Sequence, residues 1–146
     1  MKAIRDYLAS LCGDLEPDDV HWVHGGNEAQ DWCYECCKAK VKYLRRHGER
    51  SMRKEYRVDG GYDTSEEDGP TYCEGCKKLL NYSLTSYGLW LELDHFMGYG
   101  LPSEIDPHTA YELLAIFEAA EYEEDEEIIR DVNRLAEQIN LERLKQ

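Results

Sequence analysis

The first dozen residues carry apolar side chains at the three- and four-residue spacing of an α-helix. Gly13 follows this stretch, at a place where helices commonly end in a left-handed residue. The pattern predicts an N-terminal helix, and Cys12 is interpreted as a small buried side chain because it continues the apolar face. That face consists of Ile4, Tyr7, Leu8, Leu11 and Cys12.

A helix is also predicted after residue 106. Asp106 followed by Pro107 is typical of a helix start, because Asp accepts hydrogen bonds from free amides and Pro needs no donor at the first position. The predicted apolar face is formed by Ala110, Leu113, Leu114, Phe117 and Ala120.

The last helix is predicted to begin near an acidic run. Residues 121–127 contain six acids in seven positions, and acids are favourable in the first turn of a helix. Apolar residues then recur at spacings of four, three and four. This pattern predicts an antiparallel hairpin with the preceding helix or a short zipper in a homodimer. The apolar positions are Ile128, Val132, Leu135 and Ile139.

Between these helices the pattern is mixed. Residues 21–24 favour a short extended segment before two glycines. Residues 86–97 favour a helix, although 89–93 would also fit a ribbon strand. From Arg45 to Tyr72 the aliphatic or Met side chains are Met52 and Val58, so this excursion is not expected to build a core of its own.

Two CxxC pairs bracket that excursion. Cys33 and Cys36 form the first pair, and Cys73 and Cys76 form the second. Two pairs of thiols separated by a long segment are typical of a single tetrahedral zinc site. We therefore expect one structural zinc ion held by these four cysteines, between two knuckles.

The identity of the first-pair ligands has alternatives. Cys37 adjoins Cys36 and shares the zinc-ligand chemistry, although CxxC spacing favours Cys36 and helical spacing to Val41 and Leu44 favours a packing role. His21 and His24 are further candidates, but in an extended segment residues three apart face opposite ways.

The predicted fold class is α+β and mostly helical. A zinc-ribbon or treble-clef-like centre of two knuckles is expected between an N-terminal helix and a C-terminal helical hairpin. The length of 146 residues suits a single domain. We expect an N-terminal helix and loop at 1–30, a zinc-knuckle region at 31–100 and an acidic helical region at 101–146.

The composition narrows the function classes. A net charge of −14 disfavours binding to nucleic acid or anionic membranes through bulk electrostatics. The start of the chain is charged and no segment is long and apolar enough for a membrane span, so a soluble, cytoplasmic protein is expected. In that reducing compartment six cysteines favour thiolate ligands over disulfides.

One segment is nevertheless strongly basic. Residues 38–57 hold nine of the 17 lysines and arginines, with two acids. The segment either compensates the molecule's own acids and thiolates, or binds an acidic protein or nucleic acid. These possible binding residues are Lys38, Lys40, Lys42, Arg45, Arg46, Arg50, Arg53, Lys54 and Arg57. By contrast, residues 59–70 have the composition of a mobile acidic loop and lack the ligand order of an EF-hand calcium site.

Three short stretches carry a resemblance: Tyr72-Cys73-Glu74-Gly75-Cys76, residues 84–88 and residues 92–96. Over about residues 31–118, which include the turn at 59–61, the chain resembles small double-CxxC proteins encoded by bacteria, plasmids and phages. That group has no established activity, so the resemblance implies a metal site and no reaction. The chain departs from the pattern at Lys77, where many knuckles have glycine.

Two catalytic interpretations are weaker. Asp94-His95 is similar to the Asp-His of zinc-supported HNH nucleases, but it follows both CxxC pairs and does not lie between them. Glu92 and His95 have the spacing of one half of a di-iron site, without the second half. We expect a non-enzymatic interaction module, and possible roles are an acidic phage or plasmid-encoded inhibitor of a host complex, a nucleic-acid binder and a degenerate nuclease.

Overall fold

The computed structural model describes residues 1–25, 30–62 and 64–146, and for residues 62 and 64–67 it describes the backbone alone. This part of the chain is mostly helical with small two-stranded sheets. It divides into two compact units. The expectation that the chain is a single domain stays a prediction. Unit 1 comprises Met1–Leu15, Ser65–Gly69 and Ser83–Gln146, and unit 2 comprises Glu16–Thr64 and Pro70–Tyr82.

The elements follow one another in a helix-rich order, interrupted by short strands. In chain order they are α1 (Lys2–Cys12), β1 (Val20–His24), α2 (Tyr34–His47), a 3-10 turn (Arg50–Met52), β2 (Arg57–Tyr62), β3 (Thr64–Glu67), β4 (Thr71–Tyr72), β5 (Leu79–Leu80), β6 (Tyr82–Leu84), α3 (Ser86–Tyr99), α4 (Pro107–Ala120) and α5 (Glu126–Leu144).

Unit 1 is built from α1, α3, α4 and α5 around one apolar core. Cys12 is buried in this core, as the N-terminal pattern predicted. Helix starts are capped by side chains: the Thr85 hydroxyl accepts from the Gly88 amide at 2.8 Å, and the Asp106 carboxylate accepts from the Thr109 amide at 2.7 Å. The predicted helix at 86–97 is therefore confirmed and extends to Tyr99.

The predicted seam of α5 lies inside the core of unit 1. Val132, Leu135 and Ile139 are all buried, and α5 packs against α4. Asp125 caps α5, which begins with the acidic pair Glu126 and Glu127. The apolar positions of α5 therefore pack within the chain, as the predicted helical hairpin requires, because Val132, Leu135 and Ile139 are already buried in the core of unit 1.

Unit 2 contains α2, the antiparallel pair β1 and β2, and the antiparallel pair β4 and β5. Its core lies where α2 packs against β1 and β2. The buried residues are Val20, Val23, Trp32, Cys33, Cys37, Val41, Tyr56, Cys73 and Leu80. The unit thus combines a small apolar core with the cysteine pairs.

Two sequence-based expectations for this region are wrong. Cys33 and Cys36 do not form a knuckle, because helix α2 begins between them and Cys33 is its N-cap. The backbone of residues 59–62 and 64–67 is not an irregular loop, because β2 pairs with β1 and β3 pairs with β6. Three acids of the run that was compared with an EF-hand calcium site, at positions 63, 66 and 67, lie outside the described residues and atoms.

None of the described helices has the length and apolar composition needed to cross a membrane.

Candidate metal centre

Four cysteine sulfurs converge in unit 2. The Sγ atoms of Cys33, Cys36, Cys73 and Cys76 all lie within 4.8 Å of one another, and the Cys33 and Cys76 sulfurs are 3.8 Å apart. All six cysteines of the chain are free thiols. The two sequence pairs, about 40 residues apart, therefore meet at one place.

The first pair is positioned by the start of α2. Cys33 is the N-cap: its carbonyl accepts from the Cys37 amide at 2.9 Å, and its Sγ accepts from the Cys36 amide at 3.5 Å. The Asp18 carboxylate accepts from the Tyr34 amide at 2.9 Å, which satisfies another free donor of the first turn. Because Cys33 and Cys36 are three residues apart around one helical turn, both sulfurs face the same side.

The second pair lies on a tight knuckle. The Lys77 amide donates to the Cys73 carbonyl and the Cys73 amide donates to the Lys78 carbonyl, each at 2.9 Å. Lys77 has a φ of 65°, the left-handed conformation that glycine adopts most easily. The position where the sequence departs from the glycine pattern thus keeps the backbone conformation of that pattern.

Two features bring the knuckle close to the start of α2. The Glu74 amide donates to the Asp31 carbonyl at 2.9 Å, just before the first cysteine pair. At Gly75, an added Cβ would lie only 2.9 Å from the Cys36 sulfur. The close approach of the two cysteine pairs therefore depends on the absence of a side chain at Gly75.

The electrostatics of the cluster favour one thiolate in the metal-free protein. For Cys73, burial opposes ionisation, but the amides of Cys33, Cys76 and Gly75 and the Cys76 thiol lower its pKa to about 6. The Cys33 and Gly75 amides approach its sulfur at 3.3 Å and 3.4 Å. For Cys36, burial and the neighbouring cysteines raise the pKa to about 12. Deprotonating all four thiols at neutral pH thus requires a bound cation to compensate the charge.

The donor set fits a tetrahedral metal ion. Metal–sulfur bonds of about 2.3 Å place the sulfurs of a tetrahedron about 3.8 Å apart, and the Cys33–Cys76 separation of 3.8 Å matches that edge. Four thiolates suit zinc or iron and fill every position of a tetrahedron. Such a site leaves no position for a reactive water.

The alternative ligands lie outside the cluster. Cys37 is fully buried in the apolar core of unit 2, and burial followed by the charges of Cys33 and Cys73 raises its pKa to about 11. His21 packs its ring against Tyr34 at a centroid distance of 5.1 Å. Neither His21 nor His24 belongs to the group of close metal-ligating atoms.

The basic residues singled out from the sequence separate into two sets. Lys38, Lys42, Arg45 and Arg46 share one side of α2 and, with Val41 and Val58, line a groove of about 430 Å³. Lys38 pairs with Glu35 at 3.2 Å, and within unit 2 no described acidic side chain pairs with Lys42, Arg45 or Arg46. Self-compensation by this segment therefore stays a prediction. The remaining residues of the set, which do not line the groove, are Lys40, Arg50, Arg53, Lys54 and Arg57.

The residues of the two catalytic alternatives lie on α3 in unit 1. His95 is exposed and packs against the rings of Phe96 and Tyr99. Burial first, and then the charge of Glu112, raises the pKa of Glu92. Apart from the cysteine cluster, the part of the chain that the structure describes has no group of three or more His, Cys or acidic side chains close enough to hold a metal. The geometry offers no observation in favour of either alternative.

Three contributors to the centre were missed by sequence reasoning. Asp18 caps α2 and also lies 3.9 Å from the Lys78 ammonium, although in the sequence it reads as part of a turn. Gly75 was noted only as part of a motif, and Trp32 is buried beside the cysteines. For Gly75 and Trp32 the available signal was their position within or beside a CxxC pair, which does not specify the contacts; for Asp18, 15 residues before Cys33, the sequence offered no signal.

No family model matches this chain, and no curated protein and no solved structure is detectably similar to it.

Proposed function

We propose that the protein is a non-enzymatic interaction module whose unit 2 is organised by one structural zinc ion. The observation that carries this proposal is the convergence of four Sγ atoms within 4.8 Å of one another. A single knuckle facing a helix start is typical of treble-clef-like sites, so the local geometry favours that description over a two-knuckle ribbon. Zinc is favoured over iron because a closed tetrahedral site of four cysteines is the usual structural zinc site.

Metal content tests the proposal directly. We expect about one zinc per chain in protein purified without added metal, measured by inductively coupled plasma mass spectrometry. Cys36→Ser should abolish stoichiometric zinc, whereas Cys37→Ala should retain it, because Cys37 is buried beside the cluster but outside it. Loss of zinc in both variants, or in neither, would contradict the assignment of the ligands. Stoichiometric iron in place of zinc would show that the proposed metal is wrong.

The charge distribution supports a protein-interaction role for unit 1. Unit 1 has 20 acidic and six basic side chains and unit 2 has 11 of each, so the net charge of −14 belongs entirely to unit 1. An acidic surface is electrostatically complementary to a basic one, so unit 1 suits an inhibitor that acts on a basic component of a host complex. A phage or plasmid origin rests on the resemblance alone and stays part of this proposal.

A second candidate function is nucleic-acid binding by unit 2. It is favoured by the groove of Lys38, Lys42, Arg45 and Arg46, in which Lys38 pairs with Glu35 and the other three cations pair with no acidic side chain among the described residues of unit 2. Phosphates are neutralised by such side chains, and the released counterions make binding weaken as salt rises.

The test uses a 20-nucleotide DNA single strand and a 20-base-pair duplex in fluorescence anisotropy. Arg45→Glu combined with Arg46→Glu should weaken binding at least about tenfold and flatten the salt dependence. Arg50→Glu combined with Lys54→Glu reverses the same number of charges in the same segment outside the groove and should have a smaller effect. Equal effects of the two double variants would eliminate the groove as the binding site.

A further inference from the structure

Helix α3 carries a pair of large aromatic side chains on its solvent side. Tyr87 is 58% exposed and Trp90 is 49% exposed, and their rings stack at a centroid distance of 5.9 Å with an interplanar angle of 25°. Together they form an exposed aromatic patch on the first turns of the helix. Exposed Trp and Tyr of this kind are enriched at the centres of protein interfaces.

This surface is rigidly held without contributing to the core. The opposite side of α3 buries Leu89, Leu93 and Phe96 in unit 1, and the Thr85 cap fixes the start of the helix. The aromatic pair is therefore presented on an anchored element. Substituting it removes surface and leaves the core contacts in place.

Acidic groups flank the aromatic pair. Asp94 is exposed and lies one helical turn after Trp90, at the spacing of neighbours on a helix surface. At the other end, the exposed Asp68 carboxylate accepts a hydrogen bond from the Thr85 hydroxyl at 2.7 Å. The pair is thus an aromatic surface between carboxylates, in the unit that holds all of the net charge.

We infer that this surface, defined by Tyr87, Trp90 and Asp94, binds an arginine-rich segment of a partner protein. A guanidinium group stacks on aromatic faces and at the same time pairs with carboxylates, which an ammonium group does less well. The net charge of −14 in unit 1 attracts a basic partner and repels nucleic acid and anionic lipid. This inference deepens the proposed interaction role and rests on it, but it concerns unit 1, so zinc content and partner binding can fail separately.

An octa-arginine peptide and an octa-lysine peptide serve as probes. Binding is measured by isothermal titration calorimetry, and the indole N–H signals of the three tryptophans are followed by NMR during each titration. The variants are Trp90→Ala, Trp90→Phe and, as a matched control, Tyr122→Ala. Tyr122 is 88% exposed and lies in the acidic run of the same unit, so its removal tests whether the loss of any exposed aromatic side chain among acids weakens binding.

The wild-type protein should bind octa-arginine more tightly than octa-lysine, with the largest shift at the Trp90 indole. Trp90→Ala should weaken octa-arginine binding at least about tenfold, the loss expected for an interface centre, and Trp90→Phe should recover part of it. Tyr122→Ala should bind like wild type. Equal binding of both peptides, unchanged binding by Trp90→Ala, or an equal loss in Tyr122→Ala would overturn the inference.

Two further outcomes would also overturn it. If sedimentation shows that wild type forms dimers and Trp90→Ala is monomeric, the surface is covered by a second copy of this chain. If no peptide binds although zinc is stoichiometric, the arginine-rich partner is wrong while the zinc module stands. A circular dichroism spectrum of each variant verifies that α3 and its neighbours are folded.

Discussion

At the scale of single residues, Lys77 shows how the knuckle is achieved without the usual glycine. Its φ of 65° is unfavourable for a residue with a Cβ, and among the described residues it is the non-glycine position with a positive φ. Its ammonium lies 3.7 Å from the Glu74 carboxylate, but both groups are exposed, so this pair contributes little. The backbone bonds around Cys73 hold the conformation despite its cost.

We expect Lys77→Gly to raise the free energy of unfolding of the zinc-loaded protein by up to about 1 kcal/mol, because relief of left-handed strain exceeds the added chain entropy. Lys77→Val should lower it by at least about 1 kcal/mol, since a β-branched residue is poorly tolerated there. Denaturant unfolding at fixed zinc concentration measures both. Lys78→Gly is the control, and an equal gain in that variant would show that the left-handed conformation is not the cause.

Glu92 provides a prediction with a defined pH dependence. Burial, followed by the charge of Glu112, raises its pKa in the folded protein, although His95 acts in the opposite direction. An acid with a raised folded pKa destabilises the fold above its unfolded pKa, which is about 4.3. Glu92→Gln should therefore raise the melting temperature at pH 7, and the gain should shrink as the pH falls toward 4.

The control for Glu92 is Asp94→Asn, which removes one negative charge from an exposed position of the same helix. It should change the melting temperature less than Glu92→Gln at pH 7. A Glu92→Gln effect that is independent of pH, or that is destabilising at pH 7, would rule out unfavourable ionisation of Glu92 as the cause.

At the scale of elements, the helices of unit 1 were predictable because their apolar residues recur at helical spacing. The apolar spacing identified α1, α3, α4 and α5, and Asp106-Pro107 marked the start of α4. The four metal-centre cysteines were predictable as a set from the two CxxC spacings. These features depend on residues close together in the sequence.

What the sequence did not reveal depends on long-range pairing. The first CxxC was expected to be a knuckle because its spacing is the same as that of the second, and only the Asp18 cap and the packing of α2 distinguish a helix start. Strand β2 was missed because Asp59, Gly60 and Gly61 have low strand propensity, and the pairing of the strand with β1, which is interrupted by a register shift, supplies the stability. Tyr56 is buried by the same packing.

The approach of the knuckle to α2 gives a prediction at this scale. Gly75→Ala should lower zinc affinity at least about tenfold, because its Cβ would lie 2.9 Å from the Cys36 sulfur and displace a ligand. Competition with a chromogenic chelator measures the affinity. Gly60→Ala, where an added Cβ meets nothing within 4 Å, should bind zinc like wild type. Equal affinities for all three proteins would refute the close-approach argument.

At the scale of the whole molecule, the two units differ in how they are stabilised. Unit 1 buries a large apolar set from four helices, including Leu8, Leu113, Phe117 and Leu135. Unit 2 has a smaller core that includes three of its own cysteines, so we expect its stability to depend on the proposed metal ion. Structural zinc contributes on the order of 10 kcal/mol in small zinc domains.

Removal of the metal should therefore affect the units unequally. After treatment with a strong zinc chelator, we expect the amides of α2 and β1 to lose protection from hydrogen exchange, whereas the amides of α4 and α5 retain most of it. Hydrogen–deuterium exchange with mass spectrometry resolves these segments, and re-addition of zinc should restore protection. Simultaneous loss of protection in both units would show that unit 1 also depends on the metal. Unchanged protection in unit 2 would show that its fold does not depend on the metal.

The central claim is that Cys33, Cys36, Cys73 and Cys76 together hold one closed structural zinc ion. X-ray absorption at the zinc edge tests it most directly, because the extended fine structure reports the number and type of ligand atoms. Four sulfur ligands at about 2.3 Å, with no nitrogen or oxygen neighbour in the first shell, are the result expected for this site. Three or fewer sulfurs completed by nitrogen or oxygen would contradict the claim, since they would indicate a histidine ligand or an open position.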